Sequence, residues 1–359
     1  MDTNDRLHQL TCNEFRSLAA NLKLIPLKER IRFISNPDIF TSTTSNYIIP
    51  HQQNRESQSF SNFKSSLHFP PSYSEWRRLK QRNIQIVLIL SQLLQSNQLL
   101  YQKITEMLSQ LSQMCRAFFY GCEFTIVTEI PIEDMKARNR LHPQTNRIQY
   151  LAFDVIKYLE KKRPKNIFSI IAVTVEDLFP DYLANFVLGH ANFKGGSGVI
   201  SLGKYADQSN DIIRVSQTRL FWRLTKVLLH ELTHTFGIAH CYDFACLMNP
   251  SGSIPEAESQ TLFLCPYCIA KLSHILKFEF ADRFHAMELA IFHMQRFSTE
   301  LNIIWKEQSF HFNLYHLGVG SPCVDKENCE IELQRMDSFA KEKWEISFAQ
   351  ITELNKLLI

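Results

Sequence analysis

The sequence predicts an α+β fold built on a mixed, mostly parallel sheet with helices packed against it. Three observations carry this. From residue 83 onward short β-rich apolar runs alternate with helical stretches, the order expected of parallel strands joined by crossover helices. Hydrophobic residues make up 45% and aromatics 12% of 359 residues, enough for one sizeable core with appended elements. Five of the ten glycines, Gly189, Gly195, Gly196, Gly198 and Gly203, fall in one short stretch, where the chain must turn sharply between two short strands.

Residues 1–80 carry a Thr/Ser run from Thr41 to Ser45, a polar run from His51 to Ser59 and the breakers Pro50, Pro70 and Pro71, and so read as an irregular extension. Ile84 to Leu90 is β-rich and apolar, a first strand. Gln95 to Phe119 places Leu99, Leu100, Ile104, Leu108, Leu111 and Cys115 at helical spacing. Phe124 to Ile130 reads as a second strand, Ile148 to Lys162 as a helix stopped by Pro164, and Ile167 to Val175 as a third strand. Phe186 to Ala191 and Val199 to Tyr205 flank the glycine-rich connection, one of them expected at a sheet edge. That connection lacks both GxxxxGK[ST] and GxGxxG, so it is a turn and not a phosphate loop. A long helix follows from about Asp211 to Phe236, with Leu220, Leu224, Val227 and Leu228 on one face, and ends at Gly237. Ala281 to Trp305 and Glu330 to Leu358 read as helices separated by a loop with Gly318, Gly320 and Pro322. The expected organisation is an extension at 1–80, a principal domain at 81–305 and a helical region at 306–359.

Composition excludes several classes of function. Lysine plus arginine number 39 against 36 aspartates and glutamates, a net +3, and the basic residues are scattered, so neither nucleic acid nor an anionic membrane is an expected partner. The basic Lys161-Lys162-Arg163 reads as a solvated helix end that complements the helix dipole. The longest apolar stretch, Ile84 to Leu94, is interrupted by Gln85, Ser91 and Gln92 and falls short of the ~20 residues a bilayer span needs. Asp2, Asp5 and Arg6 stand where a signal peptide would carry a basic start and an apolar core, so the expected location is inside the cell, in the cytoplasm with the nucleus also open. In a reducing compartment nine cysteines do not read as a disulfide framework, and clustering then points to metal. Cys241, Cys246, Cys265 and Cys268 cluster, whereas Cys12, Cys115, Cys122, Cys323 and Cys329 are spread out, the last two incidental.

Residues 230–240 read His-Glu-Leu-Thr-His-Thr-Phe-Gly-Ile-Ala-His, an extended HExxHxxGxxH. On a helix His230 and His234 lie one turn apart on the same face, a separation at which both imidazoles can bind one zinc. Glu231 stands beside them, where its carboxylate can reach a metal-bound water as a general base without becoming a ligand. A residue six positions beyond His234 on the same helix would point away. Gly237 resolves this, because glycine accepts the left-handed conformation that ends a helix and lets His240 swing back as third ligand. Three neutral nitrogens leave a fourth position for water, whose pKa zinc lowers to roughly 7. Cys241-x4-Cys246 and Cys265-x2-Cys268 have the paired spacing of a four-thiolate site, which closes the tetrahedron with no position for water. The expected cofactors are therefore two zinc ions, one catalytic and one structural.

The continuous pattern HExxHxxGxxHCx4CxM followed by CxxC resembles the archaemetzincins, within the metzincin clan of zinc peptidases. Cys115 to Gly121, Asp177-Leu178-Phe179-Pro180 and the glycine-rich strands are similar to that family too, so the likeness spans about residues 80–300. Length and the amino-terminal extension are similar to its eukaryotic members. The resemblance implies a zincin-like fold, a zinc metallopeptidase acting on peptide substrates, with the amino end of short peptides as the narrower expectation, and Met248 as the methionine of the turn beneath the catalytic zinc. Thr233 stands where the family commonly has glycine, and Pro250 where some metzincins have a zinc-proximal tyrosine. The oxyanion-stabilising group is thus open between Tyr242, Tyr205 and backbone amides of an edge strand. His190 could line a substrate cleft if its strand is the edge beside the zinc, but the main expectation is a strand histidine that is hydrogen-bonded or solvated. The rival reading is a zinc-stabilised interaction protein with little or no turnover. Glu231 speaks against it, since a scaffold has no need of a carboxylate beside an open zinc, and a nucleic-acid-binding role for the cysteine module lacks the basic surface it would need.

Overall fold

A computed structural model describes residues 57–67, 82–181, 185–193, 196–205, 217–242, 246–260, 266–278 and seven scattered positions between 262 and 290. Almost all belong to one packed unit made of residues 48–242 and 246–278; in the other unit, only positions 282, 283, 286, 287 and 290 are described. The boundaries expected at 80 and 305 lie outside the described residues, as do the helix expected at 330–358 and most of that at 281–305.

The elements, in chain order, are α1 (Phe60–Ser66), β1 (Asn83–Leu90), α2 (Gln92–Ser96), α3 (Gln98–Phe118), β2 (Glu123–Pro131), β3 (Asn139–Leu141), β4 (Ile148–Leu151), α4 (Ala152–Lys162), β5 (Ile167–Thr174), β6 (Asp177–Phe179), β7 (Gly189–Asn192), β8 (Ser197–Ser201), α5 (Gln217–Thr235), α6 (Ile254–Ser259) and α7 (Pro266–Leu276). A five-stranded sheet has the order β2-β1-β5-β8-β7. Every pair in it is parallel except β7 with β8, where the glycine-rich connection makes a hairpin and leaves β7 at the edge. The mostly parallel sheet and its edge strand thus match the expectation. β5, the central strand, is buried at all eight positions, as a strand covered on both faces must be.

The two faces of the sheet follow from its register. Val87 pairs with Ala172 and Ala172 with Val199, and this row packs with Ile89 and Ile170 against Ala152, Val155, Ile156 and Leu159 of α4. The alternate row, Ile86, Ile171 and Gly198, faces the other way. On that side the Ser169 hydroxyl donates to Thr235 Oγ1 on α5 at 3.0 Å. The end of α5 is anchored by Phe236, whose ring stacks on Phe119 at 5.2 Å and lies 5.0 Å from Phe168.

Several expectations need correction, among them the reading of residues 57–67 as irregular, since they include α1. Residues 148–151 are not the start of a helix. They form β4, antiparallel to β3 and parallel to β6 in a second, three-stranded sheet. The reason is tertiary: Gln149, fully buried, donates to Asp177 Oδ2 at 2.9 Å and to the Asn185 carbonyl at 2.7 Å and accepts from Arg140 Nε at 3.0 Å, partners no local pattern reveals. The helix expected at 95–119 is interrupted at Asn97 (φ −128°, ψ 88°), whose side chain accepts from Leu100 N and so caps α3. At the end of α4, Lys161 and Lys162 are exposed as expected, whereas Arg163 turns inward and its guanidinium donates to the Phe168 carbonyl.

Candidate metal centre

His230 and His234 project from the last turns of α5, one helical turn apart and both buried. Their Nε2 atoms face each other at 3.0 Å. Each Nδ1 is tied to a backbone carbonyl at 2.7 Å, His230 to Leu247 and His234 to Ile238. A carbonyl can only accept, so both Nδ1 atoms carry the proton and both Nε2 atoms present lone pairs inward. Burial holds these imidazoles neutral, pushing His230 down to about 4 and His234 well below its ordinary value.

The helix stops where a third histidine needs it to. Gly237 adopts φ +81° and its N–H returns to the His234 carbonyl at 2.8 Å, the left-handed helix end that a β-carbon would strain. The chain reverses, and the His240 ring comes to 5.3 Å from that of His230 and 4.8 Å from that of His234. One coordinating atom from each of the three lies within 4.8 Å of the others. The donor set fits zinc: two nitrogens each ~2.05 Å from a tetrahedral ion would stand roughly 3.3 Å apart, and facing lone pairs with no proton to share need a cation between them.

Glu231 is buried beside the pair, and burial pushes its carboxyl up to about 8. It lies against the edge strand: a β-carbon on Gly189 would come within 2.5 Å of Glu231 Cγ and 2.7 Å of its Oε1. The sequence marks Gly189 as one of a run of turn glycines, yet it is the one that gives the carboxylate room. Phe193, at the end of the same hairpin strand, is 42% exposed with its ring 4.7 Å from that of His234. Nothing in the pattern of the sequence singles it out.

The second group lies next along the chain. Sγ atoms of Cys241, Cys246 and Cys268 all fall within 4.8 Å of one another and all three residues are buried, so the structure brings together three of the four expected thiols. Cys265 lies outside the described residues. The three suit a tetrahedral thiolate site, in which sulfurs ~2.3 Å from zinc would stand about 3.8 Å apart. The intervening turn is knotted by Asn249: its Oδ1 accepts from Cys246 N and its Nδ2 donates to the Cys241 carbonyl, both at 2.8 Å. Met248 is fully buried, and its N–H points at Cys246 Sγ at 3.4 Å. Away from this cluster, Cys115 and Cys122 are core residues whose thiols burial pushes up, Cys122 to about 12, which makes them unreactive.

The remaining expected positions sort by geometry. Tyr205 is buried with the Arg223 guanidinium over its ring, whereas the Tyr242 ring lies 6.3 Å from that of His240. His190 is exposed on β7, opposite Val199. Thr233 is buried in α5 and bonds back to the Leu229 carbonyl at 2.7 Å, leaving the histidine face undisturbed.

Residues 140–274 match peptidase family M54. An archaemetzincin of Methanopyrus kandleri is 31% identical over 153 residues, covering 42% of this chain and 81% of that protein. Archaemetzincin-2 of Homo sapiens is 30% identical over 206 residues, covering 51% of this chain and 57% of that protein, so the match spans little more than half the length of that relative. The crystal structure of the Methanopyrus kandleri archaemetzincin superposes with a TM-score of 0.43 at 22% identity, covering 55% of this chain and 97% of its own.

Proposed function

The chain belongs to the archaemetzincins, peptidase family M54, and from that premise we propose that it hydrolyses peptide bonds with the help of zinc. His230, His234 and His240 hold the catalytic ion. Cys241, Cys246 and Cys268, with Cys265 as the fourth thiolate, hold a second ion whose role is structural. The catalytic ion, when bound, supplies Lewis-acid polarisation and a lowered water pKa. Glu231 is the general base. It takes a proton from the attacking water and delivers it to the leaving amine, and the close approach of Gly189 keeps the carboxylate on that path. The Leu247 and Ile238 carbonyls keep His230 and His234 in the tautomer that binds metal.

Peptides are the substrate class, with the amino end of short peptides as the narrower proposal, and residues 81–305 are proposed as the catalytic domain. Among the described residues no helix is long and apolar enough to cross a membrane. A cytoplasmic location, with the nucleus also open, is the proposal for the whole protein.

The observation that carries this reading is the convergence of three histidines from a helix end and its reversal, with a buried glutamate on the same helix turn. Glu231→Gln keeps the shape of the side chain but cannot take a proton. It should keep both zinc ions and the wild-type melting temperature while hydrolysis falls ~10²- to 10⁴-fold. Elemental analysis and a peptide-library cleavage screen check the two halves. Cleavage by the variant at the wild-type rate would move the protein to the rival class, a zinc-stabilised interaction protein.

A further inference from the structure

Residues 237–242 carry His240 and Cys241 but belong to no helix or strand, so their backbone groups must find partners elsewhere. Some are local. The Cys241 N–H donates to the Met248 carbonyl at 2.8 Å, and the Ile238 carbonyl receives His234 Nδ1. Three more go to a segment about 180 residues away. Gln58 Nε2 donates to the Gly237 carbonyl at 3.1 Å while its Oε1 accepts from Ala239 N at 3.2 Å, so one amide side chain spans the reversal as a neighbouring strand would. Ser57 Oγ accepts from Tyr242 N at 2.8 Å. Together they grip the backbone on both sides of His240 and Cys241.

The grip has its own support. Immediately after Gln58, Ser59 caps α1 by accepting from Asn62 N at 3.0 Å. α1 buries Phe63 fully, its ring 6.5 Å from that of His274 on α7, and Lys271 of α7 donates to the Gln58 carbonyl. Leu67, closing α1, lies under the reversal: its Cδ2 would be 3.5 Å from a β-carbon on Gly237. Thus residues 57–67, which the sequence marks only as part of an irregular extension, are an ordered strap between α7 and the ligand loop.

We infer that this strap positions the third metal ligand, with Gln58 as the positioning residue that holds the backbone carrying His240. The inference rests on His240 being a zinc ligand. His230 and His234 need no such help, because their helix is anchored by Phe236 and by Ser169. His240 sits on chain outside any helix or strand, where the side chains of Gln58 and Ser57 supply hydrogen bonds to the backbone on both sides of it, and loss of groups that orient a ligand typically weakens metal binding roughly 10- to 100-fold.

The test measures zinc release from the full-length zinc-loaded protein to a chromophoric chelator, alongside zinc stoichiometry and the visible spectrum of the cobalt-substituted protein. Gln58→Ala should release one of two zinc ions roughly 10- to 100-fold faster than wild type and shift the cobalt d–d bands, while the second ion leaves at its usual rate. Ser59→Ala weakens the cap without touching the loop, so it should lower the melting temperature yet leave zinc release unchanged. Equal release by Gln58→Ala and wild type, or equal acceleration by both variants, overturns the positioning role. His240→Ala separates the premise from the inference. If it keeps two zinc ions, the ligand assignment fails; if it loses one while Gln58→Ala behaves as wild type, only the strap fails. Amide exchange on the wild-type protein needs no variant to fold: Ala239 and Tyr242 should be as protected as Cys241, and rapid exchange at either overturns the grip.

Discussion

The inner strands β1 and β5 of the main sheet and the segment after Gly237 both contribute to the interior, but they are held by different physics. In the sheet, backbone groups are paired strand to strand and the inner strands bury a block of apolar side chains: Ile84, Ile86, Val87, Leu88 and Ile89 of β1 are fully buried, as are Ile171, Ala172 and Val173 of β5. After Gly237 the chain runs from residue 237 to residue 253 without a helix or strand among its described positions. There side chains of Gln58, Ser57, Asn249 and Gln260 pair with the backbone beside a few local backbone bonds, and thiols stand where a core would have leucines. Many small interchangeable contacts hold the first region, a few specific ones the second. A packed sheet gives the metal-binding helix a fixed base, and an irregular segment can deliver a third histidine and a cluster of cysteines from directions no regular element supplies.

The largest effect should come from breaking the thiol cluster that joins the second region to α7. Cys268→Ser removes one of three converging thiols, and losing a structural metal belongs to the rare substitutions that cost ~4 kcal/mol or more. The variant should bind one zinc ion instead of two and melt at markedly lower temperature, as elemental analysis and calorimetry would read. Unchanged zinc content would mean that the thiols are ordinary buried side chains and that the two regions do not differ in kind.

The matching cut in the first region is Ile86→Ala on β1, fully buried between β2 and β5. Deleting a buried isoleucine to alanine costs about 2–5 kcal/mol from lost transfer and the cavity left. Both zinc ions should stay bound at a temperature where the fold persists. Loss of metal in step with stability would show that the regions unfold as one and blunt the contrast.

Asn249→Ala unties a knot of the second region without touching a thiol. It strands the Cys246 N–H and the Cys241 carbonyl, and a buried polar group left unpaired costs roughly 1–3 kcal/mol. Zinc should leave faster while the sheet amides keep their exchange protection, since the damage lies beyond α5. Native-state hydrogen exchange resolves the two regions in one experiment.

The smallest effect is electrostatic and lies at the rim of the first region. Arg138 grips Asp154 with Nε to Oδ2 at 2.7 Å and a second guanidinium nitrogen to Oδ1 at 2.8 Å. The side-chain hydrogen bonds from Arg138 hold the Asp154 carboxyl below its ordinary value. A carboxyl lowered in the folded state contributes stability that is present above its unfolded value near 4 and lost as pH falls through the folded one. Arg138 is largely exposed, so the pair is worth ~1 kcal/mol or less, and Asp154→Asn should lower the melting temperature slightly at pH 7 and not at pH 2. An equal loss at both pH values would assign the effect to packing.

Some of this was legible without coordinates because the physics is local. The i, i+4 spacing of His230 and His234, a glycine three residues on and a third histidine three beyond that specify a helix, its end and a reversal, since each depends on backbone conformations that neighbouring residues set. Cysteine spacing likewise announces a cluster. Alternation of strand and helix fixed the parallel character of the sheet for the same reason. What only the tertiary structure decided is what depends on residues far apart in the chain. Ile148 to Leu151 became a strand because Asp177 and Asn185 satisfied Gln149, and a helical pattern could not report partners some thirty residues away. Gly189 reads as a turn glycine until α5 lays Glu231 against it. Gln58 lies in a polar run that looks unstructured, because a single amide carries no periodicity; its place follows from the one reversal whose carbonyl and N–H it can reach together.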